Sequence, residues 1–493
     1  MLVAAAFTTL LTVALYLAVS NNAFGFGFPL DDAWIHQTYA RNLAELREWA
    51  FIPGRASAGS TAPLWSAWIS LGYFVHLDPL FWTYVSGLTL LALTAGLAAR
   101  WLAVRMPERK PLAWILAVLI PLEWHLAWAA LSGMETLALA AIAMLCFYWL
   151  ESRRVGALGV GLLIGVGVWI RPDALTLAVA AVGYMLLRDR EKVLRPWLSL
   201  AFGLTVPLLP YLAFQRWLSG EILPNTFFAK QAEYAALREL PFLVRWLTQA
   251  GIPGDWLGAD GLPSGGPVIG VLMVLLPGLL ITIRHTWRSR QWAELIPLAW
   301  AALYLAVYAL RLPVTFQHGR YAIPVIPVLL VFSFEGMARW IRPRSQQIKV
   351  RVPSRAWVLV VALSSLIFWV IGAGAYGRDV AIIESEMVAT ARWIEDNLPP
   401  EAVVAAHDIG AIGYFARGDL IDLAGLVSPE VIPFIRDEAA LARYLDESGA
   451  EYLVTFPGWY PELTEGRSPV FVTGALHSPA AGGENMAVYA WTR

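Results

Sequence analysis

Residues 2–45 read LVAAAFTTLLTVALYLAVSNNAFGFGFPLDDAWIHQTYARNLAE, an apolar segment followed by two adjacent carboxylates and a polar stretch. The apolar part, Leu2 to Ser20, is long enough to span a bilayer, which takes about 17–25 residues. Asp31 and Asp32 then stand at the predicted membrane surface, where charged groups are costly unless they face water or take part in chemistry. This stretch predicts a membrane span and leaves two explanations for the acidic pair, a solvated helix cap or the base of an enzyme.

The composition of the whole chain also indicates a membrane protein. Of 493 residues, 58% are hydrophobic and 15% are charged, and the mean hydropathy is +0.58, outside the range of ordinary soluble domains. No Lys or Arg precedes Arg41, so the first segment lacks the basic start of a cleaved signal and is expected to remain as a span. A net charge of −1, without a basic patch rich in aromatic residues, gives no indication of a nucleic-acid partner.

Apolar segments recur along the chain and predict an all-α domain of 11 transmembrane helices. Pro63–Leu77 is also apolar, but its roughly 15 residues fall short of the ~20 needed for a crossing. We expect an interfacial or re-entrant helix there instead. The ten predicted spans after the first lie near residues 80–100, 111–130, 134–151, 156–170, 174–188, 196–218, 266–284, 291–312, 321–341 and 355–376.

Alternate loops between these segments are basic, and this pattern predicts the orientation. Lys and Arg accumulate in the cytoplasmic loops of multi-pass proteins. We therefore expect a plasma-membrane protein with its N-terminus in the cytoplasm and its C-terminus outside. The basic loops are Arg100–Lys110, Arg153–Arg154, Arg188–Arg195, Arg284–Arg290 and Arg339–Arg355.

The tail of the chain differs from the rest in charge and pattern. From Ala381 to Arg493 it has 17 Asp and Glu against 6 Arg and no Lys, a net charge of −11. Helical patterns at Val388–Asn397 and Glu438–Glu447 alternate with short runs typical of strands. We predict a transmembrane catalytic domain at 1–379, with a first external loop at 21–79, and a soluble extracytoplasmic α/β domain at 380–493. The strand-like runs are Val403–Ala406, Tyr452–Phe456, Val470–Thr473 and Met486–Trp491.

Polar residues gather on the predicted outer face. Each has an ordinary structural explanation. An Asp can cap a helix, and the Arg-Pro-Asp sequence can form a hairpin. Lys230 and Arg320 can extend their charged ends to the membrane interface, and His318 can lie in a surface loop. Basic residues on the face that disfavours them nevertheless indicate an anionic partner. The segments are Asp31–Asp32, Gly133–Thr136, Arg171–Asp173, Leu223–Lys230 and Gln317–Tyr321.

A carboxylate beside cations at the outer bilayer surface suits sugar transfer from a lipid phosphate. The phosphate is already a good leaving group, so the enzyme needs a base for the acceptor hydroxyl and cations for the departing phosphate. We predict Asp31 or Asp32 as the base, and the other acid as an acceptor-orienting group or a ligand of a divalent cation, Mg or Mn. Substrate binding is predicted for Arg171, Asp173, Asn225, Lys230, His318, Arg320 and Tyr321.

Several motifs resemble the GT-C superfamily of polyprenyl-phosphate-sugar-dependent glycosyltransferases. Their order, spacing and sidedness are similar to a bacterial branch that includes terminal arabinofuranosyltransferases and putative mannosyltransferases. The resemblance implies a catalytic acid in the first external loop, here Asp31 or Asp32, and two juxtamembrane helices, here Ala33–Trp49 and Pro63–Leu77. The motifs are DDAWIHQTYARNLAE (31–45), FIPG (51–54), STAPLW (60–65), SGMET (132–136), WIRPDAL (169–175), GEILPNTFFAK (220–230), HGRYAIPVIPVLL (318–330), AAHDIGAIGYF (405–415) and LIDLAGL (420–426).

The predicted function is that of an inverting glycosyltransferase. It would move a hexose or pentose from a polyprenyl-phosphate donor to an extracytoplasmic glycan, glycolipid or protein acceptor. Two other classes stay open. A transporter or flippase of lipid-linked sugars would show inverted repeats and charges at mid-span, whereas the predicted spans are nearly free of charge. A structural or receptor-like protein would have no use for a tandem acid beside bases on one face.

Overall fold

The computed structural model of the chain describes residues 1–188, 194–251, 270–416 and 418–491. It is mostly helical and ends in a region built around a small sheet. A short hairpin of β1 (Ala50–Ile52) and β2 (Arg55–Ala56) follows the second helix. The helices up to the sheet are α1 (Leu2–Ala23), α2 (Asp32–Glu45), α3 (Pro63–Phe74), α4 (Pro79–Arg105), α5 (Pro111–Leu119), α6 (Trp124–Leu131), α7 (Thr136–Ser152), α8 (Ala157–Ile170), α9 (Thr176–Arg188), α10 (Leu194–Ser219), α11 (Asn225–Glu233), α12 (Phe242–Gln249), α13 (Val271–Arg288), α14 (Ile296–Arg311), α15 (Phe316–Gly319), α16 (Ile326–Trp340), α17 (Ile348–Ile383) and α18 (Ala389–Asn397).

Within the described residues, seven helical segments are long and apolar enough to cross a membrane, so the chain is a multi-pass membrane protein. A pair bent by 58°, Pro111–Leu122 with Trp124–Leu131, makes an eighth if it forms one span. Each of the 11 predicted segments overlaps a helix. The number of crossings stays a prediction, because α7, α8 and α9 have only 17, 14 and 13 residues. The seven segments are Leu2–Ala23, Pro79–Arg105, Leu194–Ser219, Val271–Arg288, Trp292–Arg311, Phe316–Trp340 and Ile348–Asn397.

Parts of two predictions lie outside the described residues. They are residues 189–193 of one basic loop and residues 266–269 at the start of one predicted span.

Glycines let apolar helices approach one another closely. Helices α13 and α16 meet at Gly278 and Gly336: a Cβ on Gly278 would lie 1.9 Å from the carbonyl oxygen of Ser333, and one on Gly336 would lie 1.8 Å from that of Gly278. Helices α8 and α10 approach in the same way at Gly161 and Gly203. In a bilayer, where burial from water does not drive helices together, such close backbone packing supplies much of the association energy.

A buried ion cluster joins three helices near their predicted cytoplasmic ends. The side chain of Arg105, the last residue of α4, is 2% exposed and lies 2.6 Å from Glu151 on α7 and 2.6 Å from Glu335 on α16. Arg339 also pairs with Glu335, at 2.7 Å. Because each buried charge has an opposite partner, the cluster avoids the large penalty of an unpaired charge.

The loop between α1 and α4 folds back on the helices. Its helices α2 and α3 correspond to the two helices that the GT-C resemblance implied, and end four and three residues earlier than expected. Helix α3 has 12 residues, about 18 Å at 1.5 Å per residue, too short for a crossing of ~30 Å. The indole of Trp65 on α3 donates to the carbonyl of Gly133 at 2.9 Å, which holds α3 beside the start of α7.

The C-terminal region contains a five-stranded mixed sheet of β3 (Val403–Ala406), β4 (Asp419–Asp422), β5 (Tyr452–Thr455), β6 (Pro469–Val472) and β7 (Ala487–Ala490). Its strand order is β4-β3-β5-β7-β6, in which β3 runs parallel to β4 and β5, and β7 runs antiparallel to β5 and β6. The predicted strands and helices are confirmed, except that β4 was missed because its sequence, DLID, has Asp at both ends and Asp is depleted in strands. The predicted boundary at 379–380 stays a prediction. The helices of this region are α19 (Gly410–Phe415), α20 (Glu438–Glu447), α21 (Pro461–Thr464) and α22 (His477–Ala480).

Candidate active site

A cavity of about 470 Å³ lies among the helix ends on the predicted outer face. One part of its lining is apolar, and comprises Leu175, Val179, Leu223, Phe227, Val307 and Leu312 among others. The charged part comprises Asp32, Glu135, Arg171, Asp173, Lys230, Arg311 and Arg320. Six predicted site residues therefore line one cavity: Asp32, Arg171, Asp173, Lys230, Arg320 and Tyr321.

Asp32, the first residue of α2, forms ion pairs with two cations in this cavity. Its Oδ2 accepts hydrogen bonds from Arg320 Nη2 at 2.6 Å and from Lys230 Nζ at 3.1 Å. Both cations also donate to the hydroxyl of Tyr321, at 3.1 and 3.2 Å. Burial alone would raise the pKa of Asp32, but Lys230 and Arg320 outweigh burial and hold this pKa well below its ordinary range. The carboxylate is therefore ionised.

One donor of the Arg320 guanidinium is free for a ligand. Its Nη1 is buried and has no hydrogen-bond partner among the residues that the structure describes. A buried donor without a partner is costly, more so on a charged group. Over the whole lining, four basic and three acidic side chains leave one net positive charge. The cavity is therefore suited to a ligand with one negative charge near Arg320.

Arg171 is occupied by a second set of partners in the same cavity. Its guanidinium donates to Glu135 at 2.7 Å, to Asp173 at 3.1 Å and to the hydroxyl of Tyr308 at 2.6 Å. The hydroxyl of Tyr304 donates to Asp173 at 2.8 Å. Since two carboxylates surround Arg171, its charge is compensated. Lys230 and Arg320 are then the buried cations left for an incoming anion, with Arg311 exposed in the same lining.

Three residues of this network were not among the predicted site residues. Glu135 was quoted only within the SGMET motif and the outer-face segment Gly133–Thr136, with no predicted role in the site. Tyr304 and Tyr308 were not considered, although they lie four residues apart and therefore on one face of α14. Two hydroxyls on one face of an apolar span were the available signal.

Asp31 does not line the cavity and instead contacts the C-terminal region. Its two carboxylate oxygens accept hydrogen bonds from the backbone N–H groups of Gly410, at 2.7 Å, and Ala411, at 2.8 Å. The residue is 7% exposed. Burial and the nearby carboxylate of Asp408 raise the pKa of Asp31, while the two backbone donors lower it in part. The adjacent acids thus have separate environments.

Two other predicted site residues also lie outside the cavity lining. The side-chain amide of Asn225, at the start of α11, donates to the carbonyl of Leu426 at 3.3 Å. His318 Nε2 lies 2.7 Å from Asp379 Oδ2, which also accepts a hydrogen bond from the indole of Trp128 at 2.8 Å. In this structure Asn225 and His318 connect elements around the cavity.

The C-terminal region contacts the helix that carries Lys230. His407 Nε2 lies 3.2 Å from Glu233 on α11, and its Nδ1 lies 2.7 Å from the hydroxyl of Tyr460. Burial opposes protonation of His407, but Glu233 outweighs it and raises the pKa of the imidazole. Because Asp31 precedes α2 and Glu233 ends α11, these contacts hold both helices that supply Asp32 and Lys230.

The members of the acidic pair have other partners in this structure, so the divalent cation considered from the sequence stays a prediction. The oxygens of Asp31 accept from backbone amides, and Oδ2 of Asp32 accepts from two cations. In the described ranges, no group of three or more His, Cys, Asp or Glu side chains is arranged to hold a metal ion.

Similarity to solved structures identifies the architecture. The chain is similar to ArnT from Cupriavidus metallidurans in the apo state, with a TM-score of 0.59 and 15% identity over 98% of this chain and 97% of that one. It is also similar to the archaeal oligosaccharyltransferase AglB from Archaeoglobus fulgidus in complex with an inhibitory peptide and a dolichol-phosphate, with a TM-score of 0.57 and 12% identity over 90% and 69%. The chain has the GT-C fold.

The GT-C fold expected from the motifs is therefore confirmed. ArnT from Cupriavidus metallidurans bound to undecaprenyl phosphate is similar as well, with a TM-score of 0.56 and 14% identity over 98% of each chain. Residues 378–489 match a family described as a domain of unknown function, DUF8728. No curated protein matches the chain.

Proposed function

We propose that this GT-C-fold protein is an inverting glycosyltransferase that moves a sugar from a polyprenyl-phosphate donor to an extracytoplasmic acceptor. The observation that carries the proposal is one cavity in which an apolar wall adjoins an ionised carboxylate and a free guanidinium N–H. The wall suits an isoprenoid chain, the cations suit a phosphate, and the carboxylate suits an acceptor hydroxyl. Similar structures were solved with undecaprenyl phosphate and with a dolichol-phosphate, which supports this class of donor.

The charges of the cavity explain how donor binding prepares the base. A phosphodiester carries one negative charge and matches the single net positive charge of the lining. Its oxygens would accept from Arg320 Nη1 and from Lys230, and so compete with Asp32 for both cations. As the ion pairs of Asp32 weaken, its pKa rises toward the range in which a carboxylate takes up a proton. Donor binding thereby activates Asp32.

The reaction then follows as one displacement. Asp32 takes the proton of the acceptor hydroxyl while the acceptor oxygen bonds to the anomeric carbon of the sugar. The bond from that carbon to the phosphate oxygen breaks, and its electron pair leaves with polyprenyl phosphate, whose charge Lys230 and Arg320 stabilise. Attack opposite the phosphate inverts the anomeric configuration. Asp31 does not touch the reacting atoms and holds the C-terminal region in place.

A transporter or flippase of lipid-linked sugars is the less favoured function. Such proteins place charges near the middle of the membrane. Here the buried cluster of Arg105, Glu151 and Glu335 lies near the ends of α4, α7 and α16, and each charge has an opposite partner. The cluster therefore connects the three helices and does not form a mid-membrane binding site for a transported group.

A panel of lipid-linked sugars tests the proposed function. The purified protein is reconstituted in vesicles with labelled polyprenyl-phosphate hexoses and pentoses and with glycan, glycolipid and peptide acceptors. We expect transfer from at least one donor, with inversion at the anomeric carbon. Movement of a lipid-linked sugar between leaflets, without transfer from any donor in the panel, would contradict the proposal and support the flippase.

A further inference from the structure

A second large cavity lies at the opposite end of the apolar segment Phe316–Trp340, which carries Arg320 at its start, and is otherwise lined by other helices. It has a volume of about 1100 Å³ and lies among α5, α13, α16 and α17. Its lining reaches Ile341, just beyond α16, whereas the active-site cavity is lined by Arg320 at the start of the same apolar segment. These positions are 21 residues apart, roughly 30 Å along a helix. The second cavity therefore belongs to a different site.

The charges of this cavity are confined to one end. Glu108 and Arg109 precede α5, and Arg342 and Arg344 follow α16; all four side chains are exposed. The other residues of the lining are uncharged and mostly apolar, with Ile115, Val118, Leu122, Leu275, Val361 and Leu366 among them. The cavity thus has a basic mouth and an apolar body, the pattern that an amphiphile with an anionic head would match.

The apolar body has the depth of one leaflet. On α17 the lining runs from Trp357 to Leu366, about 14 Å at 1.5 Å per residue. Along α5 and the turn that follows it, the lining runs from Pro111 to Leu122, about 16 Å by the same rise. The hydrocarbon core of a bilayer is about 30 Å thick, so either wall covers about half of it.

We propose that this cavity binds one anionic glycerophospholipid of the surrounding leaflet. The guanidinium groups of Arg109, Arg342 and Arg344 would hold the lipid phosphate, since the guanidinium fork matches two phosphate oxygens. Three arginines against Glu108 favour an anionic head group over a zwitterionic one. The acyl chains fill the apolar body, whose volume of about 1100 Å³ exceeds the roughly 300–1,000 Å³ of most small-molecule pockets.

Native mass spectrometry tests this site. The full chain is released from nanodiscs that contain equal amounts of phosphatidylglycerol and phosphatidylcholine. We expect one phosphatidylglycerol to be retained per wild-type chain, in preference to phosphatidylcholine. The double variant Arg342→Gln/Arg344→Gln should lower this retention roughly tenfold, because each basic residue near the membrane surface adds to the attraction.

Two further variants separate the site from general surface charge. Arg284→Gln/Arg288→Gln removes two exposed arginines at the end of α13 that do not line the cavity, and it should retain phosphatidylglycerol as the wild type does. Ala362→Trp fills the apolar body while all arginines remain, and it should lose the lipid.

Three results would overturn the proposal. The first is equal retention of the two lipids by the wild type. The second is unchanged retention in both cavity variants. The third is displacement of phosphatidylglycerol by an equal concentration of polyprenyl phosphate, which would make the isoprenoid the occupant. Because Arg342 and Arg344 are exposed, their replacement leaves folding intact, and thermal unfolding of each variant checks this.

Discussion

At the scale of single residues, the electrostatics of Asp32 predict how the reaction responds to pH. Lys230 and Arg320 hold the pKa of Asp32 well below its ordinary value, which is about 4. A base works when deprotonated, and kcat/KM reports the free enzyme. We therefore expect no loss of kcat/KM on acidification until the pH falls below about 4. In Lys230→Met one cation is gone, so the pKa of Asp32 rises and the acid limb moves to higher pH. An acid limb at the same pH in both proteins would contradict this account.

Arg320 supplies a second prediction at this scale. One nitrogen, Nη2, binds Asp32, while Nη1 has no hydrogen-bond partner among the described residues; the proposed function assigns Nη1 to the donor phosphate. A lysine retains the charge but cannot hold both groups with a planar fork. We expect Arg320→Lys to lower kcat/KM for the donor about tenfold, and Arg320→Ala to lower it further. Arg311→Lys is the matched control, because Arg311 lines the same cavity but is exposed. Full activity of Arg320→Lys would indicate that Arg320 acts only as an interfacial cation and does not bind the phosphate.

The residues that meet in the cavity were predictable from the sequence only in part. Residue type and predicted side were enough to select Asp32, Lys230 and Arg320, because basic residues are unexpected on an outer face, and their catalytic and binding roles stay predictions. The separate environments of the two acids were not predictable. They depend on Gly410 and Ala411, whose N–H groups bind Asp31 from 379 and 380 positions away, and a single sequence has no signal for that pairing.

At the scale of elements, the contact between α19 and the start of α2 fixes the C-terminal region over the site. A Cβ on Gly410 would lie 2.1 Å from the backbone oxygen of Asp31 and 2.7 Å from its Oδ2. We expect Gly410→Ala to destabilise this contact by about 1–3 kcal/mol, as overpacking does. Hydrogen exchange should rise in α19 and α2, and transfer should fall.

A matched glycine serves as the control for this prediction. Gly25 has no heavy atom within 4 Å of a built Cβ, so Gly25→Ala should leave both hydrogen exchange and transfer unchanged. If Gly410→Ala behaved like Gly25→Ala, α19 would not be held by Asp31 in the way the structure indicates.

Elements were the most predictable part of the fold. The spacing of apolar residues distinguishes helices from strands. The positions of α1, α4 and α20 were therefore predicted well. Strand β4 was missed because it begins and ends with Asp, a residue that is rare in strands. One of these two residues, Asp422, is buried and accepts from the backbone N–H groups of Ala424 and Val427, a stabilisation that depends on the folded turn.

At the scale of the whole molecule, the basic loops predict which end of each helix faces the cytoplasm. Cysteines are placed at exposed positions, Arg55→Cys in the first loop, Ser468→Cys in the C-terminal region and Gln346→Cys after α16; the native Cys146 is buried. A membrane-impermeant thiol reagent on intact cells should label Arg55→Cys and Ser468→Cys, but not Gln346→Cys. Labelling of Gln346→Cys alone would invert the predicted orientation.

We propose that the cavity around Asp32 is where a sugar is transferred from a lipid phosphate. The most direct measurement is the rate of transfer by purified wild-type protein, Asp32→Asn and Asp31→Asn, with the donor that the panel identifies. We predict that Asp32→Asn lowers kcat by ~10²–10⁴, the usual contribution of a general base, while Asp31→Asn, which changes only a contact with the C-terminal region, loses far less. Equal kcat in the wild type and Asp32→Asn would contradict the account.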